Sequence, residues 1–409
     1  MSVVWSLPKR VLFRFGFLAG LLYVYPAPFG YIPKTESIAE VLQKPWSWLV
    51  VWFAESVLGT DTPPQQPTGS GDTLFAYVAL LVILLFAAIG AGVWSLLDRK
   101  RLAYPRLAAA TWIGMRYYLA FTLLGYGFAK LTGGQFMPPD MAHLEDRIGE
   151  MSPMGMLWTF QGSSMPYTYF AGIAEIVPSL LLLWRRTATL GAVIAMGVMA
   201  NVVMLNFCYD VPVKLFSTEL LVIAALIAWP QLHRLVRAVL GGAVAEVPPR
   251  VRSSARVERL RLVAKVGVIA IVAWGLYQMH EQGSEYRRPP SELAGLWRVD
   301  TFRKDGVELP ALMTDAERWC SVGFSTWYVS VRACHGEHLM VQAEILPAAQ
   351  LIVLGLEEAE LLRYVRHGDH LTIDGVHRGK PIHVTLTRQP PPLLVSRGFH
   401  WIQEFPFNR

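Results

Sequence analysis

The chain has 409 residues, 53% of them hydrophobic and only 17% charged. That apolar content exceeds what one or two water-soluble cores use, which indicates a polytopic membrane protein. The formal net charge of +6 does not point to nucleic acid, because the basic residues fall in short loops between apolar runs, where charge asymmetry sets membrane orientation.

A helix needs about 20 mostly apolar residues to cross roughly 30 Å of hydrocarbon. Seven stretches qualify, near Val11 to Gly30, Thr73 to Leu97, Ala110 to Leu131, Pro166 to Leu183, Ala188 to Phe207, Leu215 to Trp229 and Leu262 to Met279. Lys9 and Arg10 precede the first, and no small-residue cleavage site follows it, so it reads as a retained span and not a signal peptide. The Trp-rich piece from Pro45 to Gly59, followed by a Pro-rich linker, suits a helix lying at the interface, with a tilted eighth span as the alternative. Lys and Arg collect in LDRKRLAYPR, at Arg185 and Arg186, and in RVRSSARVERLR. Starting with Lys9 and Arg10 inside, seven crossings put all three basic loops in the cytoplasm and the carboxyl end outside.

From about Arg287 the composition turns polar. WYVSVRA, HLTIDG, KPIHVTLTR and PPLLVSR alternate apolar and polar residues between Gly, Pro and Asp, as half-buried antiparallel strands do. The expected organisation is a first span with the interfacial segment over 1–72, a helical bundle over 73–286, and an extracytoplasmic all-β small barrel or sandwich over 287–409. Gly295, Leu296 and Trp297 resemble the G-x-W opening of lipocalin-type barrels, with an ordinary buried tryptophan as the alternative. Cys320 and Cys334 flank a plausible hairpin, and in an oxidising compartment they would form either a disulfide or two free thiols.

An ionisable group at mid-bilayer costs roughly 2.5 to 3.5 kcal/mol on insertion scales, so each needs a partner, a cavity or a task. Glu175 lies near the middle of the fourth span, with Arg185 its nearest charge in sequence. Arg116 enters the third span, where it either snorkels to the surface or faces the bundle. Tyr126 and Lys130 are four residues apart in YGFAKL and share a helix face. Asn201, then Asn206, Asp210 and Lys214 in NFCYDVPVKLFS, sit toward the outer side, where they either build a site or simply end one helix and start the next. Glu175 is the candidate catalytic residue. Arg116, Tyr126, Lys130, Asn201, Asn206, Asp210 and Lys214 are the candidate ligand contacts.

These residues carry a resemblance to the DoxX-like family of bacterial membrane proteins, over about Ala110 to Trp229: Arg116, the YGFAKL turn, Gly172-x-x-Glu175 followed by LLLLW, Gly191 and NFCYDVPVKLFS. The ending RGFHWIQEFPFNR is similar to that of a longer branch with a β domain attached. The resemblance implies a four-helix membrane core over 110–232 and, for some members, quinone-coupled oxidoreductase complexes. Pro178 and Ser179 depart from its pattern, standing where small glycines follow the glutamate, a change that would kink the helix below Glu175.

Paired axial histidines for haem are missing from all seven stretches, and Walker A, HExxH and GxSxG are absent. The histidines instead cluster after residue 330, in CHGEH, HGDH, His377, His383 and His400. HGDH reads first as a turn and the others as strand or loop positions, with a metal cluster as the alternative. The expected function is therefore a subunit of a quinone-linked redox complex in the bacterial cytoplasmic membrane, with no intrinsic cofactor, quinone as the possible ligand, and a redox partner protein. A small-solute or lipid transporter, or an envelope protein whose β domain binds a partner or an apolar ligand, are the alternatives.

Overall fold

The computed structural model describes residues 4–25, 36–64, 68–242, separate positions between 255 and 281, and 291–326, 328–355 and 359–408. Two compact units divide the chain: Met1–Leu131 with Phe170–Met279, and Thr132–Tyr169 with His280–Arg409. The first is helical and the second is built on a β-barrel.

The helical unit opens with α1, Leu7–Val24, and α2, Glu36–Phe53, which runs on through a wider π-type turn at Ala54–Leu58. It continues with α3, Leu74–Leu97, and α4, Pro105–Leu131. Beyond the α4 helix, two short helices, α5 (Met141–Glu145) and α6 (Pro153–Gly162), belong to the second unit. Most of α7, Met165–Leu182, then returns to the first, followed by α8, Ala188–Cys208, and α9, Lys214–Val239. Among the described residues, five helices are long and apolar enough to cross a membrane: α3, α4, α7, α8 and the Lys214–Leu232 part of α9. The seventh expected stretch lies largely outside the described residues.

The first expected span differs from its prediction. Its helix starts earlier and stops at Val24, and it carries Lys9, Arg10 and Arg14. Arg14 is fully buried, with Nε and Nη2 donating to Tyr104 Oη, Nη1 to Ser95 and Nη2 to the Asp98 carbonyl. The Tyr104 hydroxyl donates in turn to Asp98, and the rings of Trp94 and Tyr104 lie against the guanidinium. This cluster fastens α1 to the end of α3. The Trp-rich piece starts earlier too, at Glu36. Its Val50 and Ala54 bury against Phe75, Val78 and Val82 of α3, while Trp48 and Trp52 stack on each other on the exposed side. That division suits a helix with one face on protein and one toward the membrane boundary.

The core of the bundle joins Leu119, Ala120 and Leu123 of α4, Leu182 beside Leu183, Ala192, Ala195 and Met199 of α8, and Leu220, Ala224, Ile227 and Ala228 of α9. Small residues let the helices approach: a Cβ on Gly191 would lie 2.9 Å from the Pro178 carbonyl oxygen. Pro178 sits inside α7, and the neighbouring Ser179 hydroxyl donates to the Ala120 carbonyl at 2.7 Å. The serine thus ties α7 to α4 with a buried hydrogen bond.

The second unit is an antiparallel barrel. Its strands are β1 (Gly295–Lys304), β2 (Val307–Glu308), β3 (Trp319–Phe324), β4 (Tyr328–Ala333), β5 (His338–Leu346), β6 (Leu351–Leu354), β7 (Glu360–His367), β8 (His370–His377) and β9 (Lys380–Arg388). Each pairs with the next in space and β9 returns to β1, closing eight strands, with β2 a short addition to the end of β1. Closure leaves no free edge. Inward side chains alternate, as Leu371 and Ile373 and then Ile382, Val384 and Leu386 do; on β1 a bulge between Val299 and Thr301 shifts the inward set from Trp297 and Val299 to Phe302. These side chains fill the interior, and the cavity at the mouth near Trp319, Val331 and His377 holds about 50 Å³.

The G-x-W opening has a local cause. Gly295 takes φ +135°, and a Cβ there would meet Arg388 at 3.3 Å. Trp297 is fully buried, donates from Nε1 to the Leu293 carbonyl, and lies under the guanidinium groups of Arg366 and Arg388. Cys320 and Cys334 are disulfide-bonded across β3 and β4.

Residues 132–169 were expected to stay with the bundle, yet they fold onto the barrel. Asp140 caps α5 by accepting from the His143 N–H at 3.0 Å, and α5 packs on β3 and β4. Arg332 Nη2 then donates to the Glu145 carbonyl and to Asp146 Oδ1, each at 3.1 Å, and His338 Nδ1 lies 3.0 Å from the same Asp146 oxygen. Complementary charge brings the two segments together over nearly 190 residues of sequence.

Candidate functional site

The site residues are positioned by a glycine crossing. A Cβ on Gly127 of α4 would lie 2.7 Å from the Gly172 carbonyl oxygen of α7, and one on Gly172 would lie 2.7 Å from the Gly127 carbonyl oxygen. Only glycine permits so close a backbone approach. Lys130 and Glu175 stand three residues beyond these glycines on their respective helices, so the crossing delivers the two side chains to one point. Lys130 Nζ donates to Glu175 Oε2 at 2.7 Å, with the side chains 8% and 5% exposed. The Tyr126 ring, one turn before Lys130, lies 5.8 Å from its ammonium and 6.1 Å from the Phe216 ring of α9.

An ion pair so enclosed pays a desolvation cost of several kcal/mol per ion, which its mutual attraction repays only with good geometry. Chemically it offers a donor and a proton-accepting group side by side, next to a phenol.

The NFCYDVPVKLFS seam resolves into a clasp. Asp72, which the sequence reading passed over, accepts from the backbone N–H of Lys214 at 2.8 Å and of Leu215 at 3.0 Å, capping α9 from 142 residues away. Lys214 Nζ bonds Asp210 at 2.8 Å and approaches Asp72 at 3.7 Å. Asp210 holds φ +51°, and the Gly71 N–H donates to the Pro212 carbonyl. Asn206 is buried and reaches the Val213 carbonyl at 3.5 Å. Asn206, Asp210 and Lys214 therefore order the α8–α9 turn. Asn201 is exposed on α8.

Arg116 is separate again. It shares α4 with Lys130 but lies roughly 21 Å away along the axis at 1.5 Å per residue, so one headgroup does not touch both. The Trp112 and Tyr117 rings are 5.2 and 5.0 Å from its guanidinium carbon. A further polar cluster escaped the sequence reading: the Tyr23 hydroxyl of α1 lies beside Glu219 of α9 and Tyr118 of α4. Glu219 was legible as a charge inside an apolar run, but its tyrosine partner, Tyr23, lies on another helix.

In the barrel unit four histidines pair with carboxylates: His338 with Asp146, His335 with Glu337, His377 with Glu360 and His383 with Asp374. Among the described residues no group of three or more His, Cys, Asp or Glu side chains is placed to hold a metal. HGDH forms the β7–β8 turn. Burial pulls the Glu360 carboxyl upward, but the Arg378 backbone N–H and the His377 ring outweigh it and hold the group below the usual carboxylate range. The Asp140 carboxylate, through its hydrogen bond, holds the His143 imidazole above its ordinary value.

The uncharacterized protein YwoB of Bacillus subtilis is 39% identical to this chain over 133 residues, which cover 32% of this chain and 81% of that protein. No family model and no solved structure matches the chain.

Proposed function

The chain belongs to the family of the uncharacterized protein YwoB of Bacillus subtilis, and from that premise we propose that its helical unit is a membrane-embedded subunit of a redox complex that seats a quinone headgroup beside Lys130 and Glu175. The observation that carries this reading is the enclosed 2.7 Å pair held by the Gly127–Gly172 crossing. Lys130 donates a hydrogen bond to a quinone carbonyl. Glu175 relays a proton when the quinone takes up two electrons and two protons, and Tyr126 supplies a second hydroxyl donor. Electrons come from a partner protein. The resemblance to the DoxX-like family, carried by the same residues, supports the assignment.

The cytoplasmic membrane of a bacterium fits this role, with the barrel on its outer side. The Cys320–Cys334 bond supports that side, since disulfides persist in oxidising compartments. The filled barrel interior favours a module that faces a partner over a carrier of apolar ligands.

Purification of the intact protein from its native membrane in mild detergent, followed by extraction of bound quinone, tests the proposal. Wild type is expected to retain quinone and a redox partner, Lys130→Met to lose the quinone, and Glu175→Gln to slow electron transfer by about 100-fold or more. Absence of quinone and partner from the wild-type preparation, with unchanged electron transfer in Glu175→Gln, would overturn it.

A further inference from the structure

Among the described residues of the bundle, two buried arginines stand in contrasting states. Arg14 is 1% exposed and all three of its guanidinium nitrogens are bonded to protein oxygens. Arg116 is 5% exposed, yet no described residue gives it a hydrogen bond or an ion pair, and its buried Nε has no acceptor. The Trp112 and Tyr117 rings lie 5.2 and 5.0 Å from its guanidinium carbon and carry no counter-charge. A buried cation without a counter-charge costs several kcal/mol, so the site calls for an anion from outside the chain.

The direction of the side chain says where that anion arrives. Helical side chains lean toward the helix N-terminus, and the guanidinium lies over Trp112, one turn nearer Pro105. That end of α4 carries Arg106 and follows the turn with Arg99, Lys100 and Arg101, all four exposed. Such a basic rim attracts anionic lipid at roughly 1 kcal/mol per residue. The 27 residues of α4 span about 40 Å against roughly 30 Å of hydrocarbon, leaving about 5 Å of helix in each headgroup zone. Turned back by one helical turn, the guanidinium lies roughly 11 Å from the helix start and so only about 6 Å below that zone. Snorkelling and local thinning of the bilayer cover such a distance.

We infer that Arg116, framed by Trp112 and Tyr117, is a receptor for the phosphate of a membrane lipid at the Pro105 end of α4. The planar guanidinium offers paired donors that match a phosphate, which an ammonium does not. A free phosphate ion shares this chemistry, but the basic rim and the hydrocarbon depth favour the lipid.

The test uses the full chain in detergent, freed of lipid, with phosphatidylglycerol and inorganic phosphate as separate probes, read by native mass spectrometry and thermal unfolding. Wild type is expected to retain phosphatidylglycerol and to unfold at a higher temperature with it. Arg116→Gln is expected to bind it about tenfold more weakly and to lose the shift, while Arg378→Gln, an exposed arginine of the barrel unit outside the basic rim, keeps both. Arg116→Lys, which keeps the charge and guards against a folding failure, is expected to bind several-fold more weakly than wild type. Equal retention by wild type and both Arg116 variants overturns the inference, as does an equal loss in Arg378→Gln. A thermal shift with inorganic phosphate and none with phosphatidylglycerol overturns it as well.

Discussion

Lys130 and Glu175 lie far apart in sequence and meet at 2.7 Å inside the bundle. Removing one partner leaves the other charge buried, so Lys130→Met and Glu175→Gln are each expected to destabilise the bundle by about 3–5 kcal/mol. The double variant Lys130→Met/Glu175→Leu is expected to recover most of that loss in equilibrium unfolding, because the desolvation cost disappears with the charges. In the barrel unit, His143 provides a pH-dependent contact. Its folded pKa is raised by Asp140, so its stabilisation is complete below the unfolded value of about 6.5 and is lost as pH rises through the folded value. The protection factors over 141–145, which are corrected for the intrinsic rise of exchange with pH, are therefore expected to fall as pH rises above about 6.5, and Asp140→Asn to remove that pH dependence. Glu175 was legible as a lone carboxylate in an apolar run. Its partner was legible only as a lysine near a helix end, because contact between helices depends on a crossing that no local pattern specifies.

At the level of elements, the α8–α9 turn shows how a conspicuous polar motif arises from structural needs. Two helices meeting in a short turn expose backbone N–H groups at the start of the second, and Asp72 supplies the missing acceptors from a different part of the chain. Asp72→Ala is expected to cost about 1–2 kcal/mol and to speed amide exchange in the first turn of α9, with Asp72→Asn restoring most of the protection. Helices α3, α4, α7, α8 and α9 follow directly from apolar length, and strands β4, β8 and β9 from alternation bounded by turn residues, whereas PPLLVSR, expected as a strand, forms a short helix at Leu393–Ser396. The short helices α5 and α6 were not anticipated, since neither has a sustained periodicity. The β1 bulge was equally hidden, because it moves inward positions by one residue and interrupts the very alternation that identifies a strand.

For the whole molecule, the decisive feature is that residues 132–169 form one unit with the barrel. Arg332→Ala removes the donor to Glu145 and Asp146. It is expected to raise amide exchange over 141–150 by tenfold or more while the barrel strands stay protected. Composition and patterning alone determined that this is a helical membrane-type chain followed by a β domain, because burial of apolar surface in lipid or in a barrel writes itself into periods of sequence. Tertiary structure alone decided which charges meet, that Asp72 serves α9, that Arg14 is satisfied while Arg116 is not, and that the 132–169 segment belongs to the barrel. Those outcomes depend on side chains brought together from distant positions, where distance in space is set by helix crossings and strand closure and leaves no local trace.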